Sequence, residues 1–171
     1  TLITPISGWG RYPVQPCELE RPERYADLRP FEGGLIARGQ GRSYGDASLN
    51  ENGRVLLTER VNRLLELDAE KGILRAESGA TLAEILDVIV PKGWFLPVTP
   101  GTKFVSLGGC VAADVHGKNH YRDGSFGDHV LDMLQDLNRE GHTIVMVTHN
   151  VENAKQAGRT IEIRDGQVVA Q

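Results

Sequence analysis

The feature that most constrains this chain is where its glycines stand. Twenty of 171 residues are glycine, well above the usual share of about 7%, and most of those before residue 130 gather in short knots between apolar runs. Scattered glycine implies disorder, whereas glycine clustered at the ends of strands and helices implies turns whose backbone comes close to something. The first knot, Gly39-Gln40-Gly41-Arg42-Ser43-Tyr44-Gly45-Asp46, follows the apolar run Leu35-Ile36-Ala37-Arg38, which reads as a buried strand. Consecutive amides with little side-chain obstruction suit a diphosphate. The spacing Gly-x-Gly-x-x-x-Gly is one residue off the dinucleotide fingerprint, and there is no Gly-Lys-Ser/Thr of a P-loop. By spacing alone, an anion cradle and a tight surface turn remain equal alternatives.

A second knot runs through Pro97-Val98-Thr99-Pro100-Gly101-Thr102 to Ser106-Leu107-Gly108-Gly109-Cys110-Val111-Ala112. Ser106 is placed to cap a helix of small residues, and a free helix start attracts anions through its amides and dipole. The alternative for Gly108 and Gly109 is close packing. Two amide-rich turns some 65 residues apart point to one ligand with an extended phosphate. Between the knots lie strand-like stretches at 54–58, 64–68 and 72–77, the last two joined by a charged turn at 69–71. Thr81-Leu82-Ala83-Glu84 then forms a capping box, its helix carrying apolar positions 82, 85, 86 and 89 to a stop at Pro91. Residues 1–30 are rich in proline and charge, and 23–28 is the one short helix expected there. After residue 130 the style changes to a leucine face at 131, 134 and 137, an apolar strand at 143–147, a polar helix at 151–157 and a hairpin about Asp165-Gly166.

Charge and composition narrow the function classes. Nineteen basic against 23 acidic residues give a net charge of −4, which disfavours nucleic acid as a partner. No apolar run approaches the ~20 residues of a membrane span. Residues 1–10 have neither the basic start nor the apolar core of a signal peptide. Cys17 and Cys110 are far apart, without metal-ligand spacing, which favours a reducing compartment and a cytoplasmic location. His116, His120 and His129, with Asp114, Asp123 and Asp128, invite a metal. Gly117 interrupts the helical spacing such a site needs, so none is expected.

Taken together and in order, residues 7 to 130 resemble the N-terminal part of the FAD-binding domain of PCMH-type oxidases (the vanillyl-alcohol oxidase and p-cresol methylhydroxylase family). The matching segments are Ile36 to Asp46, Pro100-Gly101-Thr102 and Ser106 to Ala112. His116-Gly117-Lys118-Asn119-His120 and Asp123-Gly124-Ser125-Phe126-Gly127 are most similar to the decaprenylphosphoryl-ribose oxidase branch. The resemblance implies an α+β, PCMH-type FAD-binding fold, with a first subdomain at 1–60 and a partial second at 61–130. It implies that Gly39, Gln40, Gly41, Arg42, Ser43 and Tyr44 cradle the FAD diphosphate. Gly101, Thr102, Ser106, Gly108 and Gly109 would contact the diphosphate and ring side, and His116, Gly117 and Asn119 the isoalloxazine. Lys118 and His116 are the candidates for a reacting-end role. Tyr44 stands where many relatives carry a flavin-linked histidine, which implies non-covalent FAD. The implied activity is oxidation of an alcohol or sugar hydroxyl, impaired where the relatives' cap domain is missing.

Residues 131–171 resemble instead the C-terminal end of an ABC-transporter ATPase subunit, with His149 at the switch-histidine position. The chain has no Walker lysine loop, acidic Walker B strand or Leu-Ser-Gly-Gly signature, so nothing would hold or polarise a nucleotide, and a competent ATPase is not expected. The chain therefore reads as a hybrid: a truncated flavin module with a strand-helix-hairpin appendage. The alternative is a non-catalytic fragment without cofactor.

Overall fold

The computed structural model describes residues 2–28, 33–130, 139, 154, 155, 157, 160, 162–164 and 167–170. The chain divides into two units, residues 1–127 and 128–171. In the first, strands β1 (Leu2–Ser7), β2 (Val14–Glu20), β3 (Leu35–Arg38) and β4 (Arg54–Leu57) form one mixed sheet in the order β1-β2-β4-β3. The β1–β2 pair is antiparallel, while β4 runs parallel to both β2 and β3. Central β4 buries Val55, Leu56 and Leu57 in succession, as a strand covered on both faces does. Cys17, Val55 and Leu57 form the sheet's core, with Ile6, Leu19 and Ile36 packed against them.

Two expectations change here. The run 35–38 is a strand but is not buried: β3 pairs only with β4, lies at the sheet edge, and is half-buried with Ala37 exposed. Residues 1–30 hold two strands, and the expected helix at 23–28 is a single 3-10 turn, Tyr25–Asp27. Pro5 faces Pro16 in register. Proline cannot donate to a ladder, but β2 contacts β4 only over Glu18–Glu20, so Pro16 lies where that loss is not felt.

The chain then forms the hairpin β5 (Leu64–Asp68) and β6 (Ile73–Ala76). Next comes helix α1 (Leu82–Ile89), opened by the complete Thr81–Glu84 capping box, with Leu82, Ile85 and Ile89 buried. Pro91 does not stop the chain outright: α1 passes into a 3-10 turn, Val90–Lys92, which ends at Gly93 with φ +83°. Helices α2 (Leu107–Ala112) and α3 (His120–Asp123) follow, and a further helical stretch begins at residue 126. In the second unit, β7 (Glu162–Arg164) and β8 (Gln167–Ala170) pair as the hairpin expected about Asp165-Gly166. The leucine face at 131–137, the strand at 143–147 and His149 lie outside the described residues.

Candidate functional site

The first loop leaves the end of β3 and is gripped from two sides. A Cβ on Gly39 would run into the Ser106 hydroxyl and stand 2.9 Å from the Ser106 Cβ, so the first loop and the start of α2 touch. Gly41 has φ +62°, and the Arg38 guanidinium occupies the place of its missing side chain. That guanidinium donates to the Ser7 carbonyl at 2.7 Å and to the Ser48 hydroxyl at 3.0 Å. Burial lowers the Arg38 pKa, opposed chiefly by the charge of Glu59; an arginine remains a cation at neutral pH regardless. On the other side, a Cβ on Gly8 would lie 2.5 Å from the Ser43 carbonyl oxygen and 2.8 Å from that of Gly45. The Trp9 N–H donates to the same Ser43 oxygen at 2.8 Å. Thus held, the loop's own main-chain N–H groups, from Gln40 to Tyr44, donate to nothing among the described residues.

The second knot behaves differently. Ser106 caps α2 as expected, its hydroxyl accepting from the Gly109 N–H at 3.2 Å. The free amides anticipated at this helix start are not free, however. Leu107 N–H donates to Ala80 O at 2.7 Å and Gly108 N–H to Ser78 O at 2.8 Å. Gly108 is a packing glycine, since a Cβ there would stand 2.9 Å from that of Ser78. The turn at Ser78-Gly79-Ala80 is itself wedged in place. A Cβ on Gly79 would collide with the Thr58 carbonyl and lie 2.6 Å from that of Val61. One residue earlier, buried Glu77 accepts from the Arg63 N–H at 2.8 Å and from its guanidinium at 3.2 and 2.8 Å. Arg63 therefore holds the Glu77 carboxyl below its ordinary range, against the opposing pull of desolvation. What the second knot offers outward is Gly101, Thr102 and Gly109, all exposed, and the Phe104 carbonyl, which Arg42 Nε meets at 3.4 Å.

The third segment reaches the site through the second. A Cβ on buried Gly117 would stand 2.6 Å from the Thr99 carbonyl oxygen. Asn119 Nδ2 donates to Pro97 O at 3.0 Å and to Asp123 at 2.7 Å. His116 and Lys118 are exposed, and the His116 and His120 rings lie 5.0 Å apart. Among the described residues no group of three or more His, Cys, Asp or Glu could hold a metal.

Electrostatics single out one face of the first loop. Before residue 130, Arg21, Arg54, Arg60, Arg63, Arg75 and Arg122 each pair with a carboxylate. Arg11, Arg24, Arg38 and Arg42 make no ion pair among the described residues. Three of these four line one open cleft of about 510 Å³ between the β1–β2 turn and the first loop, and no carboxylate lines it. In a chain of net charge −4, such a cleft selects an anion. The turn at residues 7–11 was absent from the sequence-based site. Its signal is Gly8-Trp9-Gly10-Arg11, a glycine pair around an aromatic followed by a cation.

The family model of the FAD binding domain matches residues 27–147. The chain belongs to the FAD-binding domain family. This FAD-binding domain is 42% identical over 141 residues to decaprenylphosphoryl-beta-D-ribose oxidase of Mycolicibacterium smegmatis, covering 78% of this chain and 31% of that protein. Alkyldihydroxyacetonephosphate synthase shares its fold, with a TM-score of 0.51 and 19% identity over 64% of this chain and 23% of that one. A stretch of 48 residues is 54% identical to the macrolide export ATP-binding/permease protein MacB of Sodalis glossinidius, 28% of this chain and 7% of that protein. The chain is thus a hybrid of flavoprotein and ABC-ATPase sequence, and its cofactor is FAD. The residues present fit that group: unpaired amides at 40–44 and a carboxylate-free arginine cleft match the needs of a diphosphate. No helix among the described residues is long and apolar enough to cross a membrane.

Proposed function

We propose that the chain is the FAD-holding module of an oxidoreductase acting on an alcohol or sugar hydroxyl, with the cofactor bound non-covalently. The observation that carries this reading is the contact of Gly39 with Ser106, which sets the unpaired amides of residues 40–44 beside the second knot. The amides of Gln40, Gly41, Arg42, Ser43 and Tyr44 would hold the diphosphate. Gly101, Thr102 and Gly109 would border it on the ring side. Ser106 and Gly108 act by fixing the junction, and Gly117 and Asn119 bring His116 and Lys118 toward the reacting end. Lys118 would place positive charge there, and His116 is the candidate to take the hydroxyl proton. When bound, FAD supplies the two-electron acceptor for oxidation of the carbon bearing the hydroxyl.

The matched span is 31% of the ribose oxidase. We infer that these residues alone hold the cofactor better than they turn over substrate, because positioning and water exclusion supply much of an enzyme's rate. Residues 1–60 and 61–130 would act as two halves around the cofactor, and 131–171 as an appendage without nucleotide chemistry. The visible spectrum of the purified chain tests the main reading. Flavin bands that leave with the supernatant after heat or acid denaturation are expected. A colourless protein that takes up no added FAD would identify a cofactor-free fragment instead.

A further inference from the structure

We propose that the β1–β2 turn, residues 7–11, is the outer wall of the diphosphate cleft and that Arg11 is a phosphate-binding residue. This rests on the FAD reading above and adds to it, because the turn precedes residue 27, where the family match begins.

The turn is built as part of the site. Its backbone is locked to the amide loop by the Trp9 N–H bond to Ser43 and by the close seat of Gly8 under the Ser43 and Gly45 carbonyls. Arg11 N–H closes the turn on Gly8 O at 3.1 Å, and Arg11 itself takes the left-handed conformation, φ +59°. A long side chain rarely adopts that conformation, and here it brings Arg11 into the lining of the cleft. The Trp9 ring lies 4.8 Å from the Arg42 guanidinium carbon, a stacking that restrains Arg42.

The charges divide the work. Arg38 is engaged with Ser7 and Ser48 and shapes the loop from behind. Arg11 and Arg42 remain without an acid partner among the described residues. Like charges gathered in one cleft repel unless an anion neutralises them. A diphosphate carries about two negative charges, which these two guanidinium groups match. Trp9 then acts as a positioning residue for Arg42, and Arg11 as a direct ligand.

The test is equilibrium binding of FAD, of riboflavin, which lacks phosphate, and of inorganic pyrophosphate to the full chain. Arg11→Gln should weaken FAD and pyrophosphate binding about tenfold and flatten the salt dependence of FAD binding. It should leave riboflavin binding and the melting temperature unchanged, and Arg11→Lys should recover most of the loss. Trp9→Ala should weaken FAD binding in the parent chain but add nothing to Arg42→Gln. Equal losses for FAD and riboflavin, or no loss for either, would overturn the assignment. A chain that binds neither flavin but holds pyrophosphate through Arg11 would remove the flavin reading and leave this oxyanion site standing. Failure to bind pyrophosphate as well would remove both.

Discussion

At Gly39, the hydrogen that replaces a side chain leaves just enough room for the Ser106 hydroxyl. Gly39→Ala forces the two apart, so the cap on α2 is lost together with the junction. Loss of an N-cap costs about 1 kcal/mol, which for a chain of this size lowers Tm by roughly 2–4 °C. The fall in FAD affinity should be far larger than this stability loss suggests, and flavin titration beside thermal melts measures both. Glu77 acts at the same scale but through charge. Its carboxyl sits below the ordinary range because of Arg63, so its contribution is complete above the ordinary carboxylate pKa and is lost as pH falls through the lowered one. Glu77→Gln should therefore cost about 2 kcal/mol at neutral pH, the typical value for a charge-assisted bond. The difference from the parent should vanish in strongly acidic solution, as melts over a pH series would record.

Among the elements, those made by local chemistry were legible beforehand. The capping box of α1, the β5–β6 hairpin around its charged turn and the Ser106 cap each depend on residues within a few positions of one another. Thr81→Ala removes the hydroxyl that accepts from the Glu84 N–H and donates to the Glu84 carboxylate, and should lower stability by about 1 kcal/mol, measurable by denaturant titration. Strands β1 and β2 were hidden, because Pro5, Pro13 and Pro16 argue against a sheet until one sees that β1 is an edge and that β2 meets β4 beyond Pro16. The state of the α2 amides was equally out of reach. Their acceptors, Ser78 and Ala80, lie nearly 30 residues upstream, and no local pattern joins them. The two glycine knots do meet, at Gly39 and Ser106, but the open amides expected at the start of α2 already have acceptors.

For the molecule as a whole, the hybrid sequence predicts one kind of chemistry rather than two. ATP should neither stabilise the chain nor be hydrolysed by it, and His149→Ala should change neither result; a nucleotide-dependent shift in Tm would contradict this. FAD should leave on denaturation with no flavin retained on the polypeptide, because Tyr44 has no imidazole with which to form a covalent flavin link. Gel fluorescence after denaturation checks that directly. The two-unit division of the chain also permits a cut after Gly127. If residues 131–171 serve only as an appendage, the shortened chain should still take up FAD, whatever it loses in solubility.

The opening amides of α2 already have acceptors from the neighbouring turn, so the start of this helix does not wait for an anion to complete it. Its shape is prepaid by the fold. A cofactor arriving there has only the 40–44 loop and two arginine side chains to settle. Stripping the flavin with concentrated bromide should consequently leave the far-ultraviolet circular dichroism intact, and colour should return on mixing without a refolding lag.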